Sequence, residues 1–173
     1  IDTEIQNYTN ELLVGEAGSI SVMDIYTGEI IAMNSSPSFN PNDFLYGIGS
    51  KEWKDLNSNP FKPLINKTIS GLYSPGSTIK PIVALSALEH DVIKPSMQVF
   101  CSDSIDFYEQ KFHCWKKKGH GYMKLKNAIK QSCDIYFYEV ARLLGVDRLN
   151  ETARKFGLGN IVLNNFFENE KKG

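Results

Sequence analysis

The sequence predicts an α+β fold in which helices accompany an antiparallel hairpin, and three stretches predict it. Residues 19–33 alternate on either side of Thr27-Gly28, the pattern of two strands joined by a glycine turn. Ile82-Val83-Ala84-Leu85-Ser86-Ala87-Leu88-Glu89 is apolar, alanine-rich and free of turn signals, as a helix requires. Ile135, Phe137, Val140, Ala141 and Leu144 lie along another helix, with Gly145 as its stop.

The remaining elements follow in order. Residues 2–14 carry Ile5, Tyr8, Leu12 and Leu13 at helical spacing, one apolar face closed by Gly15. Ser19–Ile25 and Glu29–Met33 are the hairpin strands. From Ser35 to Leu64 the chain reads as loop, broken by Pro37, Pro41, Pro60 and Pro63. Pro75-Gly76 interrupts what precedes, so the next helix begins at about Ser77. Pro81 falls in its first turn, where a missing N–H costs little, and Lys94-Pro95 ends the run. Residues 99–123 read as irregular, rich in turn, aromatic and basic residues. Leu125–Gln131 is a short helix leading into Ser132-Cys133-Asp134. Residues 147–156 form a helix capped by Asp147 and ended by Gly157, and Asn160–Gly173 is a polar tail with no element.

With 173 residues, 42% hydrophobic and 23% charged, the chain can hold one domain with a sizeable core. A net charge of −1 gives no electrostatic case for nucleic acid or an anionic membrane surface. No apolar run approaches the roughly 18 residues that a membrane span needs. The chain opens at Ile1-Asp2-Thr3 without Met or a basic and apolar leader, so a fragment is expected and location is not read from targeting signals.

Two groups of residues carry chemistry. Ser77 and Lys80 stand three apart at a helix start and therefore share a face. A serine hydroxyl is a weak nucleophile until a base removes its proton, and lysine is such a base when neutral. The positive end of the helix macrodipole favours both that state and a developing anion. The second group is Cys101, Cys114, His120 and Cys133, spaced C-x12-C-x5-H-x12-C. Three thiolates and an imidazole make a complete tetrahedral Cys₃His shell for zinc. A Cys101–Cys114 disulfide, or free buried cysteines, suits the same odd count. His113 is a competing ligand, ranked lower because its neighbour Cys114 already points to the metal. Ser132 and Asp134 suit N-capping of the helix that follows them.

In full, Tyr73-Ser74-Pro75-Gly76-Ser77-Thr78-Ile79-Lys80-Pro81 resembles the active-site signature of class B penicillin-binding proteins, the bacterial cell-wall transpeptidases. Ser36–Asn42 is similar to the segment after that family's first hairpin, with Asn40 where Asp is frequent. Asn66-Lys67 is similar to its Asn-Arg. Ser132-Cys133-Asp134 resembles the S-x-N motif in the S-x-D form of the rod-elongation branch, and Cys114–Gly121 resembles that branch's zinc loop. The resemblance implies a partial penicillin-binding-protein/β-lactamase-like fold, helices packed on an antiparallel sheet, N-terminal half only. In it, Ser77 attacks a D-Ala-D-Ala carbonyl, Lys80 takes the proton, Ser132 relays it and Asp134 hydrogen-bonds Lys80. Cys101, Cys114, His120 and Cys133 hold zinc beside them.

The layout implied is helix plus hairpin (1–34), loop region (35–73), nucleophile helix (74–94), Cys/His loop (99–123), S-x-D region (124–159) and tail (160–173). The family's K-[ST]-G strand is missing, since Lys171-Lys172-Gly173 lies too near Ser132. The chain is thus expected to stop midway through a transpeptidase domain and to be inactive alone. The resemblance also implies stem peptides and β-lactams as ligands. It implies a membrane glycosyltransferase and a scaffold of the elongation complex as partners, at the periplasmic face of the inner membrane. A β-lactamase or β-lactam-sensor domain, and a non-enzymatic zinc-stabilised module, are the alternatives.

Overall fold

The computed structural model describes residues 1–107, 109–161 and 170–172, and the chain divides into two compact units. The tail expected over Asn160–Gly173 lies mostly outside the described residues. Among the described residues, no helix is long and apolar enough to cross a membrane.

The first unit runs from Ile1 to Tyr73. It contains α1 (Thr3–Leu12), β1 (Gly18–Met23), β2 (Ile30–Ser36), α2 (Ser50–Ser58) and α3 (Lys67–Ser70). Strands β1 and β2 pair antiparallel from Gly18↔Ser36 onward, so the expected hairpin forms, with Gly28 at φ 75° in its turn. Helix α1 packs on β2 through polar groups. The Gln6 carboxamide pairs with both backbone groups of Met33, donating to O at 2.9 Å and accepting from N at 2.8 Å. Asn34 Nδ2 donates to Gln6 O at 2.9 Å and to Thr9 Oγ1 at 2.6 Å. Of the expected apolar stripe only Leu13 is buried, while Tyr8 and Leu12 face solvent. A side-chain amide that mimics a peptide group satisfies a strand edge as an apolar face cannot.

The loop expected from Ser35 to Leu64 contains helix α2. Between Pro41 and Pro60 no proline intervenes, and Ser-Lys-Glu-Trp-Lys-Asp-Leu is compatible with helix throughout. Lys67 is 8% exposed, and its ammonium donates to the carbonyls of Pro37 (3.3 Å) and Lys62 (3.2 Å). It clamps two loop segments, while burial lowers its pKa.

The second unit begins at Ser74. A single 3₁₀ turn over Gly76–Ile79 leads into α4 (Lys80–Glu89). Then come β3 (Gln98–Cys101), β4 (Ser104–Phe107), β5 (Gln110–His113), β6 (Gly121–Lys124), α5 (Leu125–Lys130), α6 (Asp134–Leu144) and α7 (Val146–Lys155). The α-helix thus starts three residues after Ser77 and ends at Glu89, short of the expected Lys94. The stretch 99–123, expected to be irregular, is two antiparallel pairs, β3 with β6 and β4 with β5. Strands of four residues, one of them exposed throughout, carry too few positions for a period to show. Helix α7 starts one residue before the expected cap, with Gly145 at φ 79° as its N-cap and Asp147 in its first turn.

The core joins α4, α5 and α6: Val83, Ala84, Ala87, Ala128, Ile135, Tyr136, Phe137 and Val140 are all buried. Burying each large apolar side chain contributes about 1.5–3 kcal/mol. The fully buried Ser86 hydroxyl donates to Arg148 O at 3.0 Å and ties α4 to α7.

Glu89, in the last turn of α4, accepts from Lys155 Nζ and from the buried Thr152 Oγ1, with His90 adjacent. The Lys155 hydrogen bond is the main cause that holds the Glu89 carboxyl below its usual range, and the same bond raises Lys155. A depressed carboxyl stabilises the fold above its unfolded pKa and loses that support as pH falls through the folded value. A raised lysine supports the fold below its unfolded pKa and loses that support as pH rises through the folded one. Glu89→Gln is therefore expected to lower the urea midpoint at pH 7 by a small, salt-sensitive amount. The gap from the parent should narrow as pH falls from about 4.3, the ordinary glutamate value, through the lowered folded one.

Candidate active site

The 3₁₀ turn eclipses residues i and i+3, which sets Ser77 and Lys80 on one side at the mouth of α4. Lys80 Nζ donates to Ser132 O (3.0 Å), Ser132 Oγ (2.9 Å) and Asp134 Oδ1 (2.5 Å). Ser132 Oγ in turn donates to Ser77 Oγ at 2.9 Å. Among the described residues the hydrogen bonds run from Lys80 to Ser77 through Ser132, where the spacing alone suggests a direct pair. The Lys80 side chain is 12% exposed and lies over the Phe137 ring, 5.7 Å from its centroid. Ser77 is exposed and open to a ligand.

The other half of the site lies between α5 and α6. Ser132 has φ 50°, a left-handed conformation that costs a non-glycine residue about 1–3 kcal/mol and gathers at functional sites. Its carbonyl accepts from Lys80 and from the Trp115 indole Nε1, at 3.1 Å. Asp134 divides its oxygens, Oδ1 to Lys80 and Oδ2 to the Trp115 backbone N–H at 2.9 Å. Burial opposes its charge, but the hydrogen bonds from Lys80 and Trp115 outweigh burial and hold the carboxyl below its usual range. The N-cap of α6 is Cys133, which makes no side-chain cap bond. Ser132 and Asp134 are thus engaged with Lys80, Ser77 and Trp115 rather than in capping.

Directly behind lie Cys101, Cys114, His120 and Cys133, with ligand atoms all within 4.8 Å of one another. The β3–β6 pairing sets Cys101 opposite Gly121 and so folds His120 over it, with His120 N donating to Cys101 O at 3.1 Å. Gly119, at φ 65°, makes this return possible, because a Cβ there would lie 1.8 Å from Ser102 O. His120 Nδ1 stands 3.6 Å from Cys101 Sγ and 3.4 Å from Cys114 Sγ. All three cysteines are free in this structure, and His113 is exposed on β5 outside the group.

This donor set fits a metal. Zn–S bonds of about 2.3 Å place tetrahedral thiolates about 3.8 Å apart. Burial and the neighbouring thiols push Cys101 up to about 12, and burial also raises Cys133, so the thiolates call for a cation. Burial and the Lys116 charge lower His120, favouring the neutral imidazole that ligates.

Ser77, Ser132 and Asp134 thus meet around one lysine, carried on the helical core of the second unit. The chain belongs to the family described as the penicillin binding protein transpeptidase domain, whose pattern matches residues 18–173. It is 41% identical over 163 residues to the peptidoglycan D,D-transpeptidase MrdA of Acinetobacter baumannii, covering 92% of this chain and 24% of that protein. It is similar to Pseudomonas aeruginosa PBP2 in complex with WCK 5153, with a TM-score of 0.88 and 38% identity, covering 99% of this chain and 39% of that one. Helicobacter pylori PBP2 in its complex with MreC matches with a TM-score of 0.84 and 36% identity, over 92% of this chain and 30% of that one. The chain thus spans about a quarter of the length of the curated relatives it matches.

Proposed function

We propose that this chain is the nucleophile-bearing N-terminal half of a peptidoglycan D,D-transpeptidase domain of the rod-elongation type. The reading is carried by the continuous path Ser77 Oγ–Ser132 Oγ–Lys80 Nζ, with Asp134 facing the same nitrogen. The Ser77 oxygen attacks the carbonyl of the penultimate D-Ala in a stem peptide, its proton moves to Ser132 Oγ, and the Ser132 proton moves to neutral Lys80. The ammonium so formed has three N–H groups and three acceptors, Ser132 O, Ser132 Oγ and Asp134 Oδ1. Reversal of the relay protonates the departing D-Ala amine, and the ester passes to an amine of a neighbouring peptide. β-Lactams acylate the same oxygen.

Cys101, Cys114, His120 and Cys133 would hold zinc. When bound, it would supply the positive charge that favours the thiolate forms, and its ligation by Cys133 would hold the loop between Ser132 and Asp134. The whole enzyme works at the periplasmic face of the inner membrane with a membrane glycosyltransferase and a scaffold. The MreC complex of the Helicobacter pylori relative supports the scaffold. The test is cross-linking by the full-length enzyme. Stem peptides ending in D-Ala-D-Ala, with an acceptor amine, should yield one released D-Ala per cross-link, and Ser77→Ala should yield neither. D-Ala release without cross-links would contradict transpeptidation.

A further inference from the structure

Trp115 follows Cys114 directly and reaches the S-x-D loop from two sides. Its backbone N–H holds Asp134 Oδ2 at 2.9 Å. Its indole Nε1–H donates to Gln131 O and Ser132 O, each at 3.1 Å. The ring edge rests on His120, with centroids 5.4 Å apart and planes at 67°. The residue is 64% exposed, so it adds little to the core, yet the one donor of its side chain is turned toward two backbone carbonyls.

We propose that Trp115 is a positioning residue for the proton relay, through its indole N–H. This rests on the transpeptidase reading above. The Ser132 carbonyl has two lone pairs, one for Lys80 Nζ and one for Trp115 Nε1. With the indole in place, the left-handed Ser132 presents both its carbonyl and its hydroxyl to Lys80. Without it, the peptide after Ser132 is free to relax toward an ordinary conformation. That rotation carries the hydroxyl away from the line between Lys80 and Ser77. Trp115 also ties the Cys/His group to both partners of Lys80, since its main chain fixes the carboxylate and its side chain fixes the serine.

The experiment follows acylation of the full-length enzyme by a chromogenic β-lactam and separates the acylation rate constant from the noncovalent Kd. Trp115→Phe keeps a ring against His120 and removes the N–H. Replacement of Trp115 by its benzothiophene isostere, in which sulfur stands for N–H, removes the donor alone. Both should lower the acylation rate constant by about 10- to 100-fold, the cost of a displaced reacting group. Kd, metal content and thermal midpoint should stay at parental values. Parental acylation by either variant would overturn the proposal, as would a rate loss that appears only together with loss of metal or of thermal midpoint. A parent enzyme that no β-lactam acylates would overturn the transpeptidase reading itself, a distinguishable result.

Discussion

Lys80→Ala is expected to slow β-lactam acylation of the full-length enzyme by about 10³–10⁴-fold, the range for loss of a positioned base that acts on a serine. The size follows from the geometry. Lys80 is the one described amine bonded to Ser132 Oγ, and Ser132 Oγ is the group bonded to Ser77. Removing the amine leaves the hydroxyl pair without a proton acceptor. It also leaves Asp134 facing a vacated site, with Oδ2 still held by the Trp115 N–H. The loss of stability should be about 2 kcal/mol, below that of a fully buried pair because the two side chains keep 12% and 19% exposure. Lys80→Arg separates the two effects. A guanidinium still answers Asp134 but does not deprotonate, so stability should recover in part while acylation does not. Time courses with a chromogenic β-lactam and urea melts read both. Rapid acylation by Lys80→Arg would contradict the assignment of Lys80 as the base.

Cys133→Ser should have the second largest effect, because Cys133 belongs to two structures at once. Its sulfur is in the four-residue cluster, and its backbone separates Ser132 from Asp134. Zinc bound per chain in the full-length enzyme, measured by elemental analysis, should fall from about one to well below one. The thermal midpoint should fall by about 10 °C, taking a metal-linked loss of several kcal/mol at about 2–4 °C per kcal/mol. Acylation should fall at least about tenfold, since ligation no longer holds the loop. His113→Ala, on the exposed β5, should change none of these. Full metal content and an unchanged midpoint in Cys133→Ser would contradict the metal assignment.

Legibility in the sequence divided along physical lines. The hairpin and α6 were visible from alternation and from helical spacing, α4 from an apolar run free of turn signals, and α7 from the residues that bound it, Asp147 and Gly157. Ser77, Lys80, Ser132 and Asp134 were findable because turn residues frame them, and the structure brings their side chains into one hydrogen-bonded path. Cys101, Cys114, His120 and Cys133, up to 32 residues apart in the chain, converge as their spacing suggested. Helix α2, inside the stretch expected to be loop, escaped, and so did three other features. The contact between α1 and β2 is made by Gln6, Thr9 and Asn34, and polar zippering leaves no apolar signature. The four short strands around the cysteines are too brief for a period. Trp115 had one available cue, its place directly after Cys114, but nothing in a sequence says where an indole N–H points.

The most direct measurement of the central claim is to find where penicillin attaches. The full-length enzyme is acylated with benzylpenicillin, digested and mapped by mass spectrometry. The account requires one penicilloyl adduct, on the Ser77 oxygen, and its disappearance in Ser77→Ala. An adduct on another residue, an adduct that survives Ser77→Ala, or no adduct at all would contradict it.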